Sequence, residues 1–547
     1  MADPRPVIRA RLRDGLVVGI DRFAAGGHEA LAVADADPTR ALPALARGHP
    51  GAAVAWIDEV LVERVASPDS WAGRLRHPLE VLHLGRTFRE AENAPDMGLL
   101  HWDAPALVQA PEEGRFPTWL VSSAAGVTSA ELLAHLDLDE GAPSFRAALL
   151  DFGYRGWRAG AFAYHEPALL AKAVPAGARA CLQGRLTDAE AAWLVRRMKG
   201  RKWIPFWALA RARAGLGLPV KALVCGVLDG MTGRGGGSPA PVADPSALAP
   251  GPASAGAPPR VDALIPTLGR PTELADVVRD LAAQTVPPTR VLVVHQDLPG
   301  TGVTRAAVEE ALAGSWPFEV VLSTSDRVGA CRARNLGLAR VEADWIFLLD
   351  DDVRLPPRCL EHLHGTAVAY GVEAVCAAVY IPRLESVPTD IRVRSWPSLP
   401  SGAAFVSRRA AQEAGGFDER LEHGWGEDYE WGIRLRLAGT EVALTSHEPV
   451  QHLKAETGGF RAPIRRPWDD DPVRPRPAPT VVLSRRLHAS REMRTGYRLF
   501  YALSRLGRTA WWRWPREVVR IPGEFRRALH WATELEEGGV RDTGGRG

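Results

Sequence analysis

The chain has 547 residues, of which 46% are hydrophobic and 24% are charged, and its formal net charge at pH 7 is +2. This length exceeds what one hydrophobic core supports and predicts two or three domains, while the composition excludes a disordered or fibrous protein. So small a net charge favours no class of partner. No segment reaches the roughly 20 consecutive apolar residues that a membrane-spanning helix needs.

The amino terminus and the cysteines indicate a compartment. Residues 1–13 mix charges with prolines and lack the apolar region of a signal peptide. None of the five cysteines stands in a Cys-x-x-Cys pair or at a zinc-ligand spacing, which predicts a reducing environment. We therefore expect a cytoplasmic protein.

Composition divides the chain. Residues 233–259 are nearly all Gly, Pro, Ala and Ser, cannot bury a core, and predict a semi-extended linker. A stretch rich in Pro, Arg and Asp at residues 461–479 predicts a second boundary. The expected organisation is an α/β domain over residues 1–230, a linker over 231–259, a second domain over 260–460 and a helical tail over 480–535.

Strands and helices alternate along the second domain. Short apolar runs at residues 261–265, 290–295 and 318–323 predict buried strands, and helical spacing follows each of them. In the first helix, over residues 271–284, four apolar residues share one face: Leu274, Val277, Val278 and Leu281. This alternation predicts a parallel sheet with helices on both faces.

Three consecutive aspartates, Asp350, Asp351 and Asp352, follow an apolar run at residues 345–349. The carboxyl ends of strands are where open α/β sheets bind ligands, and carboxylates there suit a hard divalent cation and a phosphate-bearing substrate. Because alternate residues of an extended segment point the same way, Asp350 and Asp352 can face one ion. Taken alone, an acidic triplet is more typical of a solvated loop that caps the next helix, and the segments on either side favour the ligand site.

Five segments between about residue 261 and residue 454 resemble, in the same order, family 2 glycosyltransferases of the GT-A fold. They are residues 265–270 (IPTLGR), 329–337 (GACRARNLG), the aspartate triplet, 402–405 with 416–418 (GAAF and GFD), and 425–431 (WGEDYEW) with His452 downstream. Each segment alone is a weak signal, and five in order make a strong one. The resemblance implies an α/β fold of the GT-A type, a Rossmann-like nucleotide-diphospho-sugar transferase domain.

The resemblance also implies the donor half of an active site, with a nucleotide-sugar, UDP-linked, as the donor and Mn²⁺ or Mg²⁺ as the cofactor. The structural alternative to donor binding is a helix cap for Thr267 and an exposed position on a helix for Arg334. His447 competes with His452 as the third metal ligand. The donor-binding residues implied are Thr267, Arg270, Arg334, Asn335, Asp350 and Asp351, and the metal ligands implied are Asp350, Asp352 and His452.

The acceptor half lies around residues 425–431. The resemblance assigns Asp428 as the base that deprotonates the acceptor hydroxyl, with Glu427 in support, and Trp425 as an apolar face for a sugar. Both acids open a helix, so we expect the helix dipole to lower their pKa values; dipole stabilisation alone is the structural alternative. Displacement by a hydroxyl deprotonated opposite the leaving group inverts the anomeric centre. Trp431, inside the helix, is expected in the core.

The amino-terminal half is similar to the second domain at three places. Residues 52–60, 122–127 and 164–167 correspond to the segments around the triplet, the GAAF segment and His447. Residues 141–150 contain no carboxylate, although Glu140 and Asp151 flank them, and Leu170 stands where His452 would. A degenerate GT-A-like domain without catalysis and a chance similarity both remain open.

The tail is basic and aromatic. Residues 485–531 contain twelve arginines and three glutamates, with interleaved Trp, Tyr and Phe. This pattern suits an anionic membrane surface, and hence peripheral attachment at the inner face of the plasma membrane. It also suits single-stranded nucleic acid, for which nothing else in the chain speaks, so no nucleic-acid partner is expected. Helices packed on the catalytic domain are the alternative.

Together these features predict a metal-dependent, inverting glycosyltransferase that acts on a glycan or glycolipid acceptor in bacterial polysaccharide biosynthesis. One alternative is a non-catalytic glycan- or nucleotide-binding protein with two GT-A-like modules. A nucleotidyltransferase would need a Gly-rich, Lys-bearing loop after the first strand, where the chain offers only Gly269 and Arg270. After the second strand, where the family often has an aspartate for the base, the chain has His295, Gln296 and Asp297, so the nucleotide stays open.

Overall fold

The computed structural model describes residues 5–24, 27–84, 95–100, 114–175, 186–220, 244–250, 258–297, 304–382, 385–388, 392–422, 424–455 and 466–538. The chain forms two compact units, one of Met1–Gly251 with Ala489–Leu499 and one of Pro252–His488 with Phe500–Gly547. Most of the predicted linker lies outside the described residues. The domain boundaries predicted from the sequence stay predictions.

The first unit is a mixed α/β structure. Its strands are β1 (Val7–Arg13), β2 (Leu16–Ala24), β3 (Gly27–Leu31), β4 (Ala53–Asp58), β5 (Glu80–His83), β6 (Phe116–Pro117), β7 (Ala125–Ser129) and β8 (Phe162–His165). Its helices are α1 (Pro38–Gly48), α2 (Pro68–Ala72), α3 (Pro95–Leu100), α4 (Ala130–Leu136), α5 (Phe145–Ala159), α6 (Asp188–Lys199) and α7 (Ile204–Ala214). The strands form one sheet in the order β3-β2-β1-β4-β7-β5-β8-β6.

The second unit is also mixed α/β. Its strands are β9 (Val261–Thr267), β10 (Arg290–Gln296), β11 (Glu319–Ser325), β12 (Trp345–Leu349), β13 (Val353–Arg354), β14 (Ala374–Tyr380), β15 (Arg394–Ser395), β16 (Ala403–Ser407) and β17 (Val442–His452). Its helices up to residue 437 are α8 (Pro271–Ala282), α9 (Arg305–Ala311), α10 (Ala330–Leu338), α11 (Cys359–Tyr370), α12 (Arg408–Ala414) and α13 (Glu427–Leu437). The sheet order is β11-β10-β9-β12-β16-β14-β17-β13, with β15 beside β17.

The strands and helices predicted at the start of the second domain are present, with ends shifted by a few residues. The apolar face of α8 is buried, and Pro271 stands in its first turn, where proline is tolerated. Alternate residues of the central strands, such as Leu264, Ile346 and Leu348, join one core cluster with Trp431. The residues between them, such as Phe347, are buried as well, so the central sheet is covered on both faces.

The predicted parallel sheet is present over the strands from which it was predicted, but the complete sheet is mixed. The strands β9, β10, β11 and β12 are parallel, but β16 runs antiparallel to both of its neighbours, β12 and β14. The described residues between β14 and β16 contain no helix. A strand that returns without a crossover helix pairs antiparallel, which explains the mixed sheet.

The two sheets share one pairing pattern. In the first unit β1–β4 is parallel, β4–β7 and β7–β5 are antiparallel, β5–β8 is parallel and β8–β6 is antiparallel. The corresponding pairs of the second unit, from β9–β12 to β17–β13, have the same directions. The units differ outside this core, where β2 and β3 pair antiparallel and β10 and β11 parallel. The two sheets thus agree in five consecutive strand pairings, and the degenerate GT-A-like domain in the amino-terminal half stays a prediction.

The carboxyl-terminal region is helical, as predicted, with α14 (Pro479–His488), α15 (Arg491–Gly507) and α16 (Trp514–Gly538). Trp468, Val482 and Leu483 form a core with Leu421 and with Ala528 of α16. Part of the tail thus packs on the second unit, as the structural alternative predicted. No described helix is long and apolar enough to cross a membrane.

Candidate active site

The middle aspartate of the triplet faces inward. The Oδ2 atom of Asp351 accepts hydrogen bonds from the hydroxyl of Thr267 at 2.7 Å and from the backbone N–H of Leu268 at 3.3 Å. Its Oδ1 atom accepts one from Nη1 of Arg270 at 2.8 Å. Thr267 and Arg270, predicted to bind the donor, therefore fasten the loop after β9 to the triplet. Their predicted contact with a nucleotide stays a prediction.

The outer two aspartates meet a histidine. Asp350, Asp352 and His452 each offer one ligand atom, and these atoms all lie within 4.8 Å of one another. His452 faces Val353 across the pairing of β17 with β13, and its Nε2 lies 3.2 Å from Oδ1 of Asp352. His447, the competing candidate, stacks instead on His362, with ring centroids 5.9 Å apart. The structure thus brings together the three residues predicted as metal ligands.

Asp428 lies in the first turn of α13. Gly426, just before this helix, has a φ of 109°, a left-handed conformation that glycine adopts without strain. The hydroxyl of Ser401 donates a hydrogen bond of 2.5 Å to Oδ1 of Asp428. The next residue, Gly402, contacts the donor side, because a Cβ there would lie 2.7 Å from Oδ2 of Asp350. One loop before β16 therefore contacts both acidic groups.

Arg334 connects the two groups electrostatically. It is buried in α10, and its Nη2 donates a hydrogen bond of 3.0 Å to Oδ1 of Asp350. Burial lowers the pKa of Arg334, but the carboxylates of Asp428, Asp350 and Glu427 outweigh burial and raise it. Its Nε and Nη1 are buried without a hydrogen-bond partner in the part of the chain that the structure describes.

Comparisons with known proteins agree with this geometry. Residues 262–412 match the family model described as glycosyl transferase family 2. The succinoglycan biosynthesis protein ExoM of Rhizobium meliloti (strain 1021) is 30% identical over 213 residues, which cover 36% of this chain and 68% of that protein. The chain belongs to glycosyl transferase family 2. The pre-mycofactocin glycosyltransferase of Mycobacterium tuberculosis (strain ATCC 25618 / H37Rv) is 32% identical over 165 residues, 25% of this chain and 35% of that protein.

Two solved glycosyltransferase structures are similar at a coarser level. Residues 1–349 of S. aureus TarS give a TM-score of 0.35 at 13% identity, covering 51% of this chain and 88% of that one. A structure of GalNAc-T7 with UDP, GalNAc and Mn²⁺ gives 0.30 at 14% identity, covering 36% and 44%. Both scores are low, so neither structure supports an assignment of residues. The family assignment makes the protein a glycosyltransferase and confirms the GT-A fold predicted for the second domain.

In this family 2 enzyme, burial controls the acids of α13. Burial, with the negative charge of Asp428, raises the pKa of Glu427 to about 7, although Arg334 opposes the rise. Burial also raises the pKa of Asp428, against the opposing effects of Arg334 and of the hydrogen bond from Ser401. The expectation of lowered pKa values from the helix dipole is therefore wrong, because desolvation exceeds the dipole effect here.

Asn335 fastens a neighbouring segment. Its Oδ1 accepts a hydrogen bond of 2.7 Å from the backbone N–H of Phe417, and its Nδ2 donates one of 2.9 Å to the carbonyl of the same residue. Nδ2 also lies 3.2 Å from Oε1 of Glu419. The amide is thus engaged within the protein of this glycosyltransferase, and the donor contact predicted for Asn335 stays a prediction.

In the part of the chain that the structure describes, β10, the second strand of the second unit, ends without an aspartate in contact with the triplet. Gln296 instead accepts a hydrogen bond of 2.8 Å from the backbone N–H of Gly329, at the start of α10. His295 is buried, burial lowers its pKa, and neither ring nitrogen has a hydrogen-bond partner among the described residues. The structure adds no base contact to those left open by the sequence.

Sequence reasoning missed Ser401 and Glu422. Ser401 precedes the GAAF segment and carries no local signal of its contact with Asp428. Oε1 of Glu422 accepts a hydrogen bond of 2.7 Å from the backbone N–H of Arg332, and burial raises the pKa of Glu422 to about 7. Both contacts join residues far apart in the chain, so only the fold reveals them. Trp431 is buried, as expected, whereas Trp425 is 66% exposed beside the base helix.

Proposed function

We propose that this protein is a metal-dependent, inverting glycosyltransferase that moves a sugar from a UDP-linked donor to a hydroxyl of a glycan or lipid-linked acceptor. The observation that carries the proposal is the joining of two acidic groups around Arg334 and the loop before β16. One group, Asp350 with Asp352 and His452, suits the donor. The other, Glu427 with Asp428, suits the acceptor.

The donor group fits a divalent cation. Two carboxylates and an imidazole within 4.8 Å of one another are ligands that Mn²⁺ accepts, and Mg²⁺ accepts the carboxylates. Asp350, Asp352 and His452 would hold this ion. When bound, it supplies positive charge that stabilises the diphosphate as the nucleotide leaves.

The residues of the chain perform the rest. Ser401 holds Oδ1 of Asp428, which leaves Oδ2 to receive the proton of the acceptor hydroxyl. Arg334 lowers the pKa of Asp428 against the effect of burial, and its Nη2 donates a hydrogen bond to Asp350 on the donor side. A hydroxyl deprotonated on the side opposite the leaving nucleotide displaces it directly, so the configuration at the anomeric carbon inverts.

The names of the relatives support the acceptor class. One relative is named for succinoglycan biosynthesis, and the other is a pre-mycofactocin glycosyltransferase. The first of these names supports the glycan acceptor that we propose. The proposal that the donor is UDP-linked rests on the resemblance of the five segments to family 2 glycosyltransferases.

Nucleotide release tests the proposal. Full-length protein with a panel of UDP-sugars and Mn²⁺ should release UDP, and EDTA should stop the release. Asp352→Asn should abolish it, and Asp428→Asn should lower transfer by roughly 10²–10⁴-fold. Asp276→Asn, a change in α8 outside the site, is the control. Normal turnover in Asp352→Asn would refute the metal role; donor binding without UDP release would support a non-catalytic binding protein, and release of diphosphate a nucleotidyltransferase.

We also propose that the turn between α15 and α16 contacts an anionic membrane. Trp511 and Trp512 are 74% and 64% exposed, and the exposed Val519 follows them in α16. Exposed tryptophans beside arginines suit the interface of such a membrane. In vesicle flotation with phosphatidylglycerol, Trp511→Ala/Trp512→Ala should bind less than the parent protein. Val368→Ala, which changes a 52% exposed side chain of α11, should bind like the parent. Equal binding of all three would reject the contact.

A further inference from the structure

A cavity lies beside the loop that leads to the proposed base. It measures about 260 Å³, and all of its described lining belongs to the second unit. Gly424 and Trp425 form the wall nearest to α13, and Trp468 lies in the wall formed by the segment before α14. Trp425 is three residues from Asp428, so the cavity begins within about 10 Å of the base along the chain.

Three arginines line this cavity: Arg466, Arg474 and Arg476. Among the described residues, none of them forms an ion pair, and Nε of Arg466 is buried without a hydrogen-bond partner. Nearby Arg527, by contrast, pairs with Asp471 at 2.7 Å. The one acid in the lining, Asp469, accepts a hydrogen bond from the backbone N–H of Arg466. Three positive charges against one negative charge leave the described lining at +2.

The walls of the cavity are held in place. The backbone N–H of Trp425 donates a hydrogen bond of 3.0 Å to the hydroxyl of Thr480. A Cβ at Gly424 would lie 2.1 Å from the same oxygen, so α14 approaches this loop as closely as a glycine permits. Trp468 is anchored in the core that Val482 and Leu421 share. The segment that contains the three arginines is therefore continuous with α14, which packs against the loop of Gly424 and Trp425 before α13.

We propose that the acceptor of this enzyme carries a phosphate group, which Arg466, Arg474 and Arg476 bind, while Trp425 packs on the acceptor sugar. The inference rests on the proposed function and specifies the chemical class of the acceptor in that reaction. Guanidinium groups match the oxygens of a phosphate in paired hydrogen bonds, and a phosphate offers more oxygens to three arginines than a carboxylate does. The phosphate of a lipid-linked sugar and a phosphodiester within a glycan share this chemistry.

Tryptophan fluorescence tests phosphate binding in the full-length protein, with EDTA present. The probes are decyl phosphate for the lipid source, glycerol phosphate for the glycan source, and decanoate as the carboxylate. We expect saturable quenching by at least one phosphate and a dissociation constant at least about tenfold weaker in Arg474→Gln/Arg476→Gln, since the variant loses hydrogen bonds to a charged group. Arg340→Gln/Arg526→Gln removes the same charge from exposed sites outside the cavity and should bind like the parent.

The outcomes separate this inference from the proposed function. Saturable binding that the cavity variant loses supports a phosphate site, and the better probe names its source. Binding that is absent, equally tight in the cavity variant, or equally tight for decanoate overturns it. UDP release from the donor with Mn²⁺ is measured beside it: failure of that release refutes the proposed function, whereas release without phosphate binding refutes the acceptor inference alone.

Discussion

Adjacent aspartates of the triplet have different environments and therefore different pKa values. Burial raises the pKa of Asp351 to about 6, although Arg270 and Thr267 oppose that rise. Burial also acts on Asp352, but the hydrogen bond with His452 and the charge of Arg270 outweigh it and lower the pKa. Asp351 thus serves the internal structure of the loop, while Asp350 and Asp352 face the proposed metal ion.

Arg334 is the residue on which both acidic groups depend. Arg334→Met should destabilise the fold by about 3–5 kcal/mol, because it leaves buried carboxylates uncompensated. Arg334→Lys keeps the charge, loses the planar fork, and should fold while transferring poorly. Because Arg334 lowers the pKa of Glu427 and Asp428, its loss should also move the acidic limb of the pH–rate profile to higher pH. Urea unfolding and pH–rate profiles measure both effects; an unmoved limb in Arg334→Met contradicts the coupling.

The raised pKa of Glu427 predicts a pH dependence of stability. Its pKa of about 7 in the folded protein exceeds the usual 4.5, so the folded state binds more protons between these values. Stability should therefore fall as pH rises from about 4.5 to 7, by an amount on the order of 2 kcal/mol. Glu427→Gln should flatten this slope in urea midpoints measured at several pH values. Glu310→Gln, at an exposed site on α9, should leave it unchanged; an unaltered slope in Glu427→Gln would count against the burial argument.

At the scale of elements, α13 is placed by close packing. A Cβ at Gly432 would lie 2.7 Å from the backbone nitrogen of Leu399 and 2.8 Å from Cα of Ser398, in the loop that carries Ser401. Backbone cannot yield as a flexible side chain does. The helix that carries Asp428 therefore lies against this loop only because residue 432 has no side chain.

Two glycine substitutions test this packing. Gly432→Ala should destabilise the protein by about 1–3 kcal/mol and reduce transfer, because α13 must move away from Leu399. Gly365→Ala, inside α11 with open space around its Cβ, should be neutral or stabilising by up to about 1 kcal/mol. Thermal or urea unfolding of both variants, with transfer rates, gives the comparison. Equal stability of the two would show that α13 adjusts without cost.

Local sequence predicts what depends on neighbouring residues in the chain. The strands β9 and β12 are predictable from their apolar runs, and α8 is predictable from its helical spacing. Such patterns arise because each element buries its own apolar residues. The direction of β16 was not predictable, since it depends on a connection without its own periodicity. The raised pKa of Glu427 and the contact of Ser401 with Asp428 depend on tertiary burial, and so does the cavity that joins Trp425 to Arg466.

At the scale of the whole molecule, two sheets share a pairing pattern, but their chemistry differs. Asp58 ends β4 as Asp350 follows β12, yet among the described residues only Asp350, Asp352 and His452 form a group that suits a metal ion. Leu170, at the position corresponding to His452, lies in an isolated bridge with Val65. Asp151, which flanks the segment without a carboxylate, is engaged by Arg155 and Arg197. At these described positions the first unit therefore differs from the second in the residues that the proposed reaction uses.

A matched pair of substitutions tests whether one sheet alone performs catalysis. Asp58→Asn and Asp350→Asn remove the same charge from corresponding places of the two sheets. Asp58→Asn should keep UDP release and transfer, and because burial raises the pKa of Asp58, removing its charge should leave stability at pH 7 equal or slightly higher. Asp350→Asn should lose transfer, and Mn²⁺ should no longer raise its melting temperature. Loss of transfer in Asp58→Asn, with an unchanged melting temperature, would instead place part of the reaction in the first unit.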